Sequence, residues 1–133
     1  GVTVTATGPA TYVFGLDSAI TGPQSFHGRR FISTPYTVTY GATSVIDWLY
    51  GDTQYLALSG DTTIQTANIV SGQQLVLRID ADASNRALAF PGTWKWVPSA
   101  AGGPTGINAN KTMIVALSPW SAVDSGIVAA WSV

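Results

Sequence analysis

Gln73-Gln74-Leu75-Val76-Leu77-Arg78-Ile79-Asp80 is the stretch that decides the fold class. Leu75, Leu77 and Ile79 share one parity, while Gln74, Val76, Arg78 and Asp80 share the other. Successive side chains of a strand point to opposite faces, so this segment is a strand with one greasy face and one mostly polar face. Working outward, Gly and Pro recur every few residues, and Thr, Val, Ile, Tyr and Trp dominate between them. A long helix has nowhere to sit. Towards the C-terminus, strands are expected at 86–90, 93–97, 112–117 and 126–132. Towards the N-terminus they are expected at 62–66, 54–58, 44–49, 36–40, 12–14 and 2–7. The breaks fall at Gly8-Pro9, a loop over 15–30, Tyr50-Gly51-Asp52, Ser59-Gly60-Asp61, 68–72, 82–85, Pro91-Gly92, a Gly/Pro/Asn loop over 98–110, and 118–125. Many short strands with turns between them predict an all-β fold, a sandwich or a barrel, with an antiparallel β-sandwich of jelly-roll-like order favoured. The division expected, within a single compact domain overall, is an N-terminal arm or strand segment over 1–43 and a β-sandwich knob over 44–133.

The composition narrows the function. Of 133 residues, 46% are hydrophobic and 10% are charged, so the chain is not disordered by composition. An ordinary globular chain carries about 25% charged residues. Here the polar surface is made mainly from Ser, Thr, Gly, Asn and Gln, which invites association with identical subunits or with a larger shell. The net charge is −1 and only Arg29-Arg30 stand together among the basic residues, so no nucleic-acid partner is expected. Without cysteine, neither disulfides nor thiolate metal sites hold the fold. No run of 18 apolar residues exists, so no membrane insertion is expected.

The last two strands bear on assembly. Met113-Ile114-Val115-Ala116-Leu117 and Ile127-Val128-Ala129-Ala130-Trp131 are apolar on both parities. A strand with one face in water should alternate, so both faces are expected to be covered, one of them by a neighbouring subunit. Met113, Val115, Ile127, Val128 and Trp131 are the candidate oligomer-interface residues. The competing explanation is a long loop over the second face.

No residue pattern points to catalysis. His27 is the one histidine, in a Gly-rich segment beside Arg29 and Arg30, and no Gly-x-Ser-x-Gly elbow accompanies it. Asp47, Asp52, Asp61, Asp80, Asp82 and Asp124 could supply a carboxylate pair, but most fall in expected turns, where Asp caps backbone amides. Asp80-Ala81-Asp82-Ala83-Ser84 has the alternating oxygens of a calcium loop without its central Gly or distal Glu, and a hairpin turn explains it better. No catalytic residue, metal or cofactor is therefore expected. Trp94 and Trp96 flank Lys95 and share a face if 93–97 is a strand; with Trp120 they are candidates for contact with a glycan or receptor. Against this stands the large area a Trp buries in a core or an interface.

Residues 46–133 also resemble a domain found in bacteriophage tail- and head-fibre proteins and other virion proteins. The ordered pieces are Ile46-Asp47-Trp48, Gly51 to Leu58, Ser59 to Ile64, Ser71 to Leu77, Asp82 to Arg86 and Leu88-Ala89-Phe90-Pro91. They continue through Trp94-Lys95-Trp96, Gly102-Gly103-Pro104-Thr105, Asn110-Lys111 and a closing strand to Trp131. In that family Lys-Trp runs straight into Pro-Gly-Gly, whereas here Val97 to Ala101 intervene. The resemblance implies a β-sandwich, usually a trimer, without enzymatic activity, on the exterior of a phage particle. Its implied partners are copies of itself, other virion proteins and a host-surface glycan or protein. The roles it suggests are a fibre or head-associated knob, or a capsid decoration protein. A free lectin or carbohydrate-binding module is the reading from another class.

Overall fold

The computed structural model describes residues 34–98 and 102–133. The expected strands at 2–7 and 12–14, the loop over 15–30, and His27, Arg29 and Arg30 lie outside the described residues.

The described chain is all-β, with two sheets. Ten strands follow in order: β1 (Tyr36–Thr37), β2 (Thr43–Asp47), β3 (Thr53–Leu58), β4 (Thr62–Ala67), β5 (Leu75–Ala81), β6 (Arg86–Ala89), β7 (Lys95–Trp96), β8 (Gly106–Ile107), β9 (Thr112–Pro119) and β10 (Ile127–Ser132). Single 3-10 turns occupy Trp48–Tyr50 and Asp124–Gly126. One sheet has the order β1-β3-β5-β9-β10-β7, the other β2-β4-β6-β8.

The expected strand positions hold closely from β3 to β6. Gly51-Asp52-Thr53 leads into β3 and Gly60-Asp61-Thr62 into β4, and in each case the Thr opens the strand. Strand β2 stops at Asp47, short of the expected residue 49, because the Asp47 carboxylate accepts from the Leu49 amide at 2.9 Å and starts a 3-10 turn. Strand β8 lies inside the expected 98–110 loop; two residues are too short to show a period, although Ile107 is buried.

The pairing corrects the antiparallel expectation. β1–β3, β3–β5, β2–β4, β4–β6 and β7–β10 are parallel; only β5–β9, β9–β10 and β6–β8 are antiparallel. From β1 to β6 the chain alternates between the two sheets, so each strand lies beside the one two places earlier. Parallel neighbours need a long crossover, ordinarily a helix that covers the sheet. Here the crossover is a strand of the opposite sheet, so no helix or strand among the described residues covers the outer face, and the strands alternate as antiparallel ones do. The 82–85 turn is accordingly no hairpin: it carries the chain from β5 in one sheet to β6 in the other. Asp82 organises it, accepting from the Ser84 amide at 3.1 Å and from Arg86 Nε at 2.8 Å.

Both sheets contribute to one buried cluster. Leu56, Leu77, Ile79, Met113, Val115 and Ile127 come from the six-stranded sheet, and Ile46, Ile64, Leu88 and Ile107 from the four-stranded one. Trp48 joins them, its indole donating to the Gln73 carbonyl at 3.1 Å. Polar groups inside are mostly paired: Thr62 donates to the Gly41 carbonyl at 2.7 Å and shares a 2.9 Å hydrogen bond with Ser44. The expected boundary at 43/44 falls within this unit, since β1 pairs with β3 and Val38 is buried in the same core.

Candidate binding face and aromatic cleft

The register of the six-stranded sheet determines which side chains meet on its outer face. Thr53, Val76, Ala116 and Ala130 form one cross-strand row through β3, β5, β9 and β10. Tyr55, Arg78, Ile114 and Ser132 form the next. Val128 faces Ser118 on one side and Lys95 on the other. Val76 and Ile114 are each 41% exposed, Ala116 is exposed, and Val128 and Ala130 are half-buried. These residues make a continuous apolar stretch across three strands.

Arg78 and Asp80 neutralise one another on this face. Arg78 donates to Asp80 through Nε at 3.0 Å and Nη2 at 2.7 Å, and its guanidinium lies 5.5 Å from the centre of the Tyr55 ring. Thr112 adds a 2.7 Å hydrogen bond to the same carboxylate. The hydrogen bond from Arg78 holds the Asp80 carboxyl below its usual range, and Arg86 does the same for Asp82.

The candidate interface residues divide between the two faces. Met113, Val115 and Ile127 have no exposed surface and belong to the core of a single chain. That corrects their assignment to an interface. Both parities of 112–117 are apolar, and the bulkier set fills the interior, leaving Ile114 and Ala116 outside. Val128 lies on the outer face and Trp131 is 41% exposed. The outward residues Ile114, Ala116 and Ala130 were not singled out from sequence, because both parities of their strands are apolar, and Val76 was not, because it stands alone among polar residues of its own parity.

The tryptophans separate likewise. Trp94 is buried, its Nε1 donating to Asp124 Oδ1 at 3.1 Å, and Thr66 donates to that same oxygen. Trp96 is half-buried on β7, opposite the inward Ala129 of β10, while Lys95 is exposed. Phe90 completes the corner, 5.6 Å from Trp94 and 5.3 Å, edge to face, from Trp96, with the two indoles 5.7 Å apart. Gly103 lies against the Trp96 ring, where a Cβ would overlap the indole. Around this corner opens a cleft of about 920 Å³ whose walls include Phe90, Trp94, Lys95, Trp96 and Pro104. The structure thus brings Trp94, Lys95 and Trp96 to one cleft. Trp120, 79% exposed on the β9–β10 loop, is not among its walls. Sequence does not single out Phe90, because it stands alone there and gains its aromatic neighbours only from other parts of the fold. It presents Asp124 only as one of six candidate carboxylates and as a turn residue, since nothing in the sequence joins it to Trp94.

The carboxylates are engaged in local structure. Asp47 caps its 3-10 turn and accepts from Asn68, Asp61 accepts from the Ala87 amide at 2.9 Å, and Asp80 and Asp82 pair with arginines. Among the described residues no group of three or more His, Cys, Asp or Glu side chains could hold a metal ion. Comparison with protein-family models, with curated proteins and with solved structures gives no match.

Proposed function

We propose that this chain is a non-enzymatic structural protein of a bacteriophage particle, a fibre-type or head-associated knob on the particle exterior. In this reading copies of the chain assemble, as a trimer, through the outer face of the six-stranded sheet, and the assembly serves attachment to the host surface. The supporting observation is the apolar row Val76, Ala116, Ala130, flanked by Ile114 and Val128, on a sheet face that no helix or strand of the described chain covers. Such faces on soluble proteins mark interaction sites, and charge-poor surfaces elsewhere on the chain favour the same outcome. The resemblance of residues 46–133 to phage fibre domains supplies the virion setting and the trimer. The two sheets around one core are read as a sandwich, wound as a spiral in its first six strands. A capsid decoration protein would use the same face against a shell subunit.

Light scattering on the full chain tests the assembly. A mass of three times 13.9 kDa supports it; a single-copy mass at micromolar concentration, with the face left wet, removes it. Imaging of intact particles carrying a labelled chain distinguishes a projecting knob from a shell-bound decoration.

A further inference from the structure

A second, smaller cleft of about 430 Å³ adjoins the aromatic one, and the two share Phe90 and Pro91 as a common wall. The far side of the smaller cleft is polar, with Thr63, Gln65 and Asp124. Thr63 and Gln65 are exposed, two residues apart on β4, and so lie on its outward face. Asp124 is held in place through one carboxylate oxygen, which accepts from both Trp94 and Thr66. Its other oxygen has no donor among the described residues. A carboxylate fixed in this way is an acceptor that needs no reordering when a ligand arrives. Across the shared wall, Phe90 and Trp96 meet edge to face, and Trp94 packs near both rings.

This is a pocket with aromatic walls and a few convergent polar groups, the composition that suits a small-molecule site. Its polar members combine an acceptor with a hydroxyl and an amide, each of which can both donate and accept. A ligand matching both walls has an apolar ring face and a rim of hydroxyls. The carboxylate of Asp124 disfavours an anionic ligand beside it. We propose that the paired clefts bind a neutral oligosaccharide, its C–H faces on Phe90 and Trp96 and its hydroxyls on Asp124, Gln65 and Thr63. The proposal rests on the host-attachment part of the function proposed above and names the class of ligand.

The test is a nuclear magnetic resonance titration of the full, isotopically labelled chain. The probes are maltotriose, cellotriose and tri-N-acetylchitotriose, with trigalacturonic acid as the anionic comparison. Each is added to about 10 mM, enough to reveal millimolar dissociation constants. At least one neutral trisaccharide should move the indole N–H signals of Trp94 and Trp96 and the side-chain amide of Gln65. Gln65→Ala and Thr63→Ala, both at exposed positions, should each weaken that binding by roughly fivefold to tenfold, the loss of one hydrogen bond, with the melting temperature unchanged. Three results overturn the proposal: none of the neutral probes moves these signals, binding survives both substitutions unaltered, or the anionic probe binds more tightly than every neutral one. A chain that assembles without binding saccharide loses the cleft but keeps the virion role. A single-copy species that binds saccharide keeps the cleft and loses the assembly.

Discussion

Single carboxylates carry much of the local order in this charge-poor chain. Asp124 joins β4 to the aromatic corner by accepting from Thr66 and from the buried Trp94 indole. Asp124→Ala leaves that indole N–H unpaired, and the expected loss is about 1–3 kcal/mol of unfolding free energy in urea titrations. Asp80 and Asp82 are expected to make part of the stability depend on acid. Their folded values lie below the ordinary 3.8, lowered first by hydrogen bonds from Arg78 and Arg86. Their contribution is therefore complete above that ordinary value and is lost as the pH falls through the depressed ones. A chain carrying both Asp80→Asn and Asp82→Asn should melt below the native protein at pH 7. The gap should begin to narrow below about pH 4, where the unfolded carboxyls protonate, and close once the pH passes below the depressed folded values. A gap independent of pH would show that the two ion pairs contribute nothing through charge.

At the level of the strand, parity separates two valines of similar sequence context on adjacent strands. Val115 on β9 points into the core with no exposed surface, while Val128 on β10 points outward beside Lys95 and Ser118. Val115→Asp buries an unpaired charge, which costs on the order of 4 kcal/mol or more and should prevent folding. Val128→Asp should fold, with a melting temperature near the native one, and lose the assembled mass in light scattering. Equal behaviour of the two variants in both measurements would show that the outer face is not the contact surface. Strand positions themselves were legible because Leu75, Leu77 and Ile79 alternate with Val76, Arg78 and Asp80. Which face of β9 turned inward was not, because Ile114 and Val115 are equally apolar.

For the molecule as a whole, few charges mean that assembly should depend little on salt. The face proposed for contact is apolar, and its arginine and aspartate already neutralise each other. Raising sodium chloride from about 0.1 to about 1 M shortens the screening length from about 10 to about 3 Å, yet the assembled mass should stay the same or become more persistent. Dissociation on adding salt would identify ion pairs between subunits as the main contact instead. The candidate site shows the same dependence on scale. Trp94, Lys95 and Trp96 could be picked out as a motif, but Phe90 from β6's end and Asp124 from the β9–β10 loop meet them only through the fold.

Local periodicity and turn chemistry settled the all-β character, the placing of β3 through β6, and the capping use of the aspartates, because these depend on residues a few positions apart. Tertiary structure alone decided the parallel spiral, the outward face of β9 and the pairing of the aromatic cleft with Asp124. A period of two states that a strand has a wet face and a dry one; it carries no information about which strand lies alongside or in which direction it runs. Those are settled only when the chain crosses from one sheet to the other and packs both onto a shared interior.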